Sequence, residues 1–225
     1  KRGELMATLA QSNGAMAAVL ASQEETAVCI GDETVYFAGI NSPSQTVISG
    51  DLSAVSRVVE AAKARGIRTA MLPVSHAFHS PLVAPAAAPL KEFLATCDLS
   101  PIHRRVISTV TGAPLPPDED VAQLLHRQVT SPVLFRTAIQ HSGHVDLWIE
   151  VGPGRTLAGM TAENGAPLVR SAEIGGPSRR PLLAAIAAAF ELGAGVDVQA
   201  LHHNRCVRPV NVNPRFFVNP CEAGS

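Results

Sequence analysis

Between Gly14 and Val74 the chain alternates strand-like and helix-like segments in the order β-α-β-β-α-β, which leaves few ways to fold. Residues 15–21, 35–40, 46–49 and 69–74 are rich in β-branched or alternating apolar positions and read as strands. Residues 52–65 read as a helix, with Leu52, Val55, Val58, Val59 and Ala62 on one face. Asp51 is a natural N-cap and Gly66 a left-handed stop. A shorter link, 23–30, is helical or irregular. This is the order of a ferredoxin-like unit of about 60 residues.

After this unit strands at 105–110, 147–151 and 167–171 alternate with helices at 85–97, 118–129, 132–141 and 181–192, as an α/β layer does. Gly152-Pro153-Gly154 ends one strand in a hard turn. From Gly193 the pattern fades, and Pro209, Pro214 and Pro220 interleave with Arg205, Arg208 and Arg215, as in an extended linker. The opening, Lys1 to Met6, looks like the middle of a helix and suggests a chain cut from something longer.

Composition excludes several classes. With 46% hydrophobic and 16% charged residues, 225 residues can bury a core. A formal net charge of −1 and no basic stripe argue against nucleic acid. No stretch approaches the ~18 apolar residues of a membrane span. The most apolar run, 182–190, with Ala184 to Ala189 at its heart, reads as a packed helix. Cys29, Cys97, Cys206 and Cys221 have no CxxC spacing, which fits reduced thiols and a cytoplasmic protein. His202, His203 and Cys206 lack a fourth ligand, so no metal site is expected.

The run that carries chemistry is Leu72-Pro73-Val74-Ser75-His76-Ala77-Phe78-His79-Ser80-Pro81-Leu82, between a strand and a proline-marked helix. On residue types alone, its histidines could be metal ligands, a general base with a substrate contact, or polar side chains of a structural loop.

This run resembles the HAFHS-P-L motif of acyltransferase domains in modular and iterative polyketide synthases. The resemblance continues in register over residues 1 to 160. Arg2-Gly3-Glu4-Leu5-Met6 and Gly14 to Ala18 resemble its RGxLM and GAMAA segments. Asn41 to Gly50 resembles its NxPxxxVxSG hairpin, and Val110-Thr111-Gly112 its VTG turn. Gln128 to Val133 resembles QxxxPV, and Glu150 to Gly154 lies in its EVGPG strand end.

The resemblance implies the C-terminal part of an α/β-hydrolase-like acyltransferase core (1–13 and 75–175), an inserted ferredoxin-like subdomain (14–74) and a helix and linker (176–225). It implies transfer of a malonyl unit from malonyl-CoA to the phosphopantetheine arm of an acyl carrier protein through an acyl-serine, with no permanent cofactor. His79 matches the base, whose ordinary pKa of ~6.5 suits proton relay. Arg2 matches the arginine that pairs with the malonyl carboxylate. Gln128 matches the residue whose backbone carbonyl accepts from the base's other ring nitrogen, leaving its side chain little part. His76, Ala77 and Phe78 hold the selectivity position, where HAFH goes with malonyl. Phe78 would fill the space of an α-methyl, a discrimination worth only ~1–3 kcal/mol.

The family's nucleophile lies in a GHSxGE-type elbow, and no G-x-S-x-G occurs here. Ser75 and Ser80 flank the histidine on no elbow, and Gly50-Asp51-Leu52-Ser53 is a helix cap. The serine is therefore expected outside this chain, whether through proteolysis, a separate chain or a longer polypeptide. The partners implied are the N-terminal half of the domain, the carrier protein and an adjacent ketosynthase. The ending 214–222 resembles iterative synthases that build enediyne polyenes. A non-catalytic carrier-docking module and a stand-alone hydrolase are the rival readings. The retained Arg2, His79 and Gln128 argue against the first and the absent elbow against the second.

Overall fold

The computed structural model describes residues 1–10, 13–197 and 199–203. The chain divides into two compact units, Lys1–Ala185 and Ile186–Ser225. Residues 204–225, including Cys206 and the enediyne-like ending, lie outside the described residues.

Helix α1 (Arg2–Leu9) leads into β1 (Gly14–Val19), α2 (Gln23–Ile30), β2 (Val35–Ser42), β3 (Gln45–Asp51), α3 (Leu52–Ala64) and β4 (Thr69–Met71). The four strands form one sheet in the order β2-β3-β1-β4, with every neighbouring pair antiparallel. The two helices start where local chemistry demands. Ser22 and Glu25 form a reciprocal capping box on α2, and the Asp51 carboxylate accepts from Ser53 N at 2.9 Å on α3. Val55, Val58, Val59 and Ala62 of α3 then bury against Val19 and Ile48 of the sheet. Burying such side chains fully is worth about 1.5–3 kcal/mol each.

β4 is shorter than the expected 69–74. Leu72 makes a last bond to β1, and the chain then leaves the sheet for the loop that holds the histidines, since Pro73 has no N–H to continue a ladder. The expected helix 85–97 is a 3-10 turn, Pro81–Ala86, followed by α4 (Ala87–Leu94). Pro85 sits inside the 3-10 turn. Likewise 105–110 contracts to β5 (Ile107–Ser108), paired with β6 (Ala113–Pro114) through a turn in which Gly112 adopts φ +68°.

Next come α5 (Val121–Arg127), α6 (Phe135–Gln140), β7 (Trp148–Glu150), α7 (Thr156–Glu163), β8 (Val169–Ser171) and α8 (Arg180–Glu191). β7 and β8 pair in parallel. Among the described residues the strands make one four-stranded and two two-stranded sheets rather than one continuous layer. No helix among them is long and apolar enough to cross a membrane.

Two features of this frame position the site. A second core joins Met6 of α1, Val83, Leu90, Leu94 and Val129, with Phe78 and Leu125 packed against it. It thus brings the N-terminal helix, the histidine loop and the end of α5 together. Second, Val133 is laced to the edge of β2. Its N–H donates to the Ala38 carbonyl at 2.8 Å and its carbonyl accepts from Ile40 N at 2.9 Å. This rung falls at the bulge between Phe37 and Gly39, where β2 turns its backbone groups outward.

Candidate active site

The loop 72–80 is pressed onto β1. Leu72 N donates to the Met16 carbonyl at 2.9 Å, and Ala77 is fully buried over Gly14. A Cβ on Gly14 would lie 2.2 Å from Ala77 N and 2.9 Å from His76 C, so this approach requires glycine. Ser80 is fully buried as the cap of the 3-10 turn. Its hydroxyl donates to the Ala77 carbonyl at 2.6 Å and accepts from Leu82 N at 3.3 Å. His79, between these anchors, adopts φ +59°.

This conformation delivers the His79 ring to the turn after α5. Nδ1 lies 2.8 Å from the Ser131 carbonyl oxygen. A carbonyl only accepts, so Nδ1 carries the proton and Nε2 of the neutral ring holds the lone pair. Ser131 is itself fixed on both sides. Its N–H and hydroxyl donate to the Arg127 carbonyl at 3.1 and 2.8 Å, and Val133 anchors the chain beyond it. The ring is partly buried, and that burial pushes its pKa below the usual histidine value. The Arg2 charge lowers it further, against the opposing backbone hydrogen bonds. With its pKa lowered from the usual histidine value, the ring favours its neutral form near pH 7.

Arg2, in the first turn of α1, lines the same cavity as His79. The cavity measures about 490 Å³ and is also walled by Met6, Met16, Val74 and Phe78. Arg2 Nη1 donates to Gln128 Oε1 at 2.8 Å. Arg2 Nε is buried with no hydrogen-bond partner among the described residues. The expected backbone contact of Gln128 to the ring is present, and Ser131 adds a second. The ring's 2.8 Å acceptor is the Ser131 carbonyl, and the Gln128 carbonyl is a lesser contact. Conversely, the Gln128 side chain is engaged with the site's cation.

Residues 1–176 match the family described as "Acyl transferase domain". The chain belongs to the acyl transferase domain family. It is 38% identical over 170 residues to the malonyl CoA-acyl carrier protein transacylase of Bacillus subtilis, covering 71% of this chain and 54% of that protein. It is 36% identical over 202 residues to the phenolphthiocerol synthesis polyketide synthase type I Pks15/1 of Mycobacterium bovis, covering 88% of this chain and 10% of that protein. Its structure is similar to the acyltransferase domain of the iterative polyketide synthase in enediyne biosynthesis. The TM-score is 0.84 at 36% identity, over 91% of this chain and 54% of that one. The acyltransferase fold, with its mixed α/β content, is thereby shared, and the chain spans 54% of two of these relatives.

Within this acyltransferase chain the three expected selectivity residues separate. His76 and Phe78 line the cavity, with ring centroids 5.8 Å apart. Ala77 points away, into the contact with Gly14, so its role is to let the loop seat. Ser75 Oγ lies 2.8 Å from His76 Nδ1. The Ser75 and Ser80 hydroxyls are engaged by His76 Nδ1 and the Ala77 carbonyl, and among the described residues neither is hydrogen-bonded to His79. Sequence reasoning missed Ser131, because a backbone carbonyl leaves no trace in residue type. Among the described residues no cluster of three His, Cys, Asp or Glu side chains is placed to hold a metal.

Proposed function

We propose that this chain is half of the working site of a malonyl-CoA:acyl carrier protein acyltransferase in polyketide biosynthesis, with the nucleophilic serine outside these 225 residues. The observation that carries the reading is His79, with its Nδ1 held by a carbonyl and its lone pair on Nε2 in a cavity shared with Arg2. Nε2 takes the serine proton as the serine oxygen attacks the thioester carbonyl. The C–S bond breaks and the proton passes to the departing coenzyme A sulfur. In the second half-reaction Nε2 takes the proton of the carrier's phosphopantetheine thiol. The thiol attacks the acyl ester, and the proton returns to the serine. Arg2 pairs with the free carboxylate of the malonyl group throughout. The relatives named above, a malonyl transacylase and polyketide synthases, support this reading.

Finer assignments belong to the same proposal. The strand order β2-β3-β1-β4 supports a ferredoxin-like subdomain at 14–74. We place it as an insertion in an α/β-hydrolase-like core formed by 1–13 and 75–175, with 176–225 as helix and linker toward a ketosynthase. His76 and Phe78 narrow the cavity against an α-methyl. The similarity to an enediyne synthase domain supports an iterative synthase in the cytoplasm.

Intact-mass spectrometry of the protein that carries this chain, after incubation with malonyl-CoA, tests the proposal. One malonyl adduct on a serine is expected, discharged by carrier protein. His79→Ala should slow its formation on the order of a thousandfold or more. An adduct that forms equally fast without His79 would sink the mechanism. No adduct in the wild type would favour a docking module.

A further inference from the structure

The geometry points to the Gln128 side chain as a positioning residue that fixes the Arg2 guanidinium, and so sets the preference for acyl groups bearing a carboxylate. The inference rests on the malonyl-transfer reading. Arg2 is a long side chain on the first turn of a two-turn helix with no side-chain cap, and Met6 is the helix's buried residue. That helix does little to fix where the guanidinium points. Among the described residues, the Arg2 side chain makes one hydrogen bond, the 2.8 Å bond from Nη1 to Gln128 Oε1. The bond is partly buried and spans 126 positions, so it is a tertiary tether rather than a local helix contact.

Three consequences follow from its chemistry. The tether takes one Nη1 N–H, and among the described residues Nη2 makes no hydrogen bond and is not buried as Nε is. The Nη2 N–H groups and the second Nη1 N–H are thus left for a carboxylate, which accepts from a guanidinium in bidentate fashion. An amide oxygen also orients the cation without cancelling its charge, as a carboxylate at position 128 would. Finally, Gln128 and Ser131 belong to one turn, closed by Gln128 N to the Leu124 carbonyl at 2.9 Å and Ser131 N to the Arg127 carbonyl at 3.1 Å. A single turn therefore holds the carboxylate-binding cation by a side chain and the base by a carbonyl three residues later. The spacing between carboxylate and reacting carbonyl is set by that turn, which is the geometry a short dicarboxylic acyl unit needs.

The test is steady-state loading of malonyl-CoA and acetyl-CoA by the protein that carries this chain, in wild type, Gln128→Leu, Arg2→Ala and the double variant. The quantity read is the ratio of kcat/KM for malonyl-CoA to that for acetyl-CoA. Gln128→Leu should lower the ratio about ten- to a hundredfold, the usual effect of losing a hydrogen bond to a charged group, mainly through KM for malonyl-CoA. Arg2→Ala should lower it at least as far. The double variant should match Arg2→Ala, because Gln128 acts through Arg2. Equal losses on both substrates would show that Gln128 serves the histidine or the fold, and would overturn the inference. So would additive effects in the double variant, or an unchanged ratio in Gln128→Leu. A wild type that does not prefer malonyl-CoA refutes the functional reading itself, and no variant is needed to see it. If Gln128→Leu does not fold by circular dichroism, Gln128→Met, of the same length and without an acceptor oxygen, takes its place.

Discussion

Gly14→Ala is the substitution for which the structure predicts the largest effect from the smallest change. Its added methyl would lie 2.2 Å from Ala77 N, 2.9 Å from Ala77 Cβ and 2.9 Å from His76 C. Ordinary contact is about 3.5 Å, so the nearest atom must retreat by about 1.3 Å. That atom is backbone, and so is His76 C, so no side-chain rotation relieves the clash. β1 is paired on both sides, to β3 and β4, and is the less free to move. The loop should therefore lift, with His79 two residues beyond Ala77. Overpacking of this kind costs about 1–3 kcal/mol. At about 2–4 °C per kcal/mol for a chain of this size, the melting temperature should fall by several degrees. The catalytic effect should be larger, because a displacement of about 1 Å at a reacting group can cost on the order of a hundredfold in rate. Differential scanning fluorimetry and malonyl loading rates read the two effects separately. Ala77→Gly on the same background removes only the 2.9 Å Cβ contact and should not restore activity. A Gly14→Ala protein with unchanged melting temperature and loading rate would refute the close approach of loop and strand.

The protonation of His79 gives a second prediction. Burial and the Arg2 charge lower its pKa, so the loading rate should rise with pH through a midpoint below ~6.5. The unfolded chain, with its ordinary histidine, binds more protons in that window. Stability should therefore fall as pH drops below about 6.5, level off beneath the folded pKa, and lose this dependence in His79→Ala, as urea melts at each pH would show. A third concerns α7. The Glu150 carboxylate accepts from Leu157 N at 3.2 Å and Ala158 N at 2.8 Å, capping the helix from β7. Glu150→Ala should cost about 1 kcal/mol in chemical denaturation, and no loss would mean the cap is idle.

What could be read in advance depended on where the causes lay. α2 and α3 were legible because their signals are local, in Ser22–Glu25, in Asp51, and in apolar residues at helical spacing. α7 was not. Its sequence, Thr-Leu-Ala-Gly-Met-Thr-Ala-Glu, has a central Gly159 and buries Thr161 rather than an apolar stripe. Its cap comes from Glu150, several residues earlier across the Gly152–Gly154 turn. The same division holds in the site. His79 and Arg2 stood out as side chains in a motif. Ser131 could not, since its part is played by a carbonyl whose direction is set by the turn after α5 and by Val133 on the β2 edge. The Arg2–Gln128 contact joins positions that only the second core brings together.

The positive φ of His79 sets stability and chemistry against each other at one position. A side chain in the left-handed region costs about 1–2 kcal/mol that glycine would not incur, and asparagine tolerates the region better than most residues. The loop would thus relax if the histidine were exchanged for either. With His79 as the proposed base, selection for a sturdier fold and selection for proton transfer pull in opposite directions here, and the imidazole survives only while the second prevails. An experiment that evolves this chain for thermal endurance alone, without asking it to move an acyl group, should be drawn to residue 79 and should return proteins that are more durable and inert.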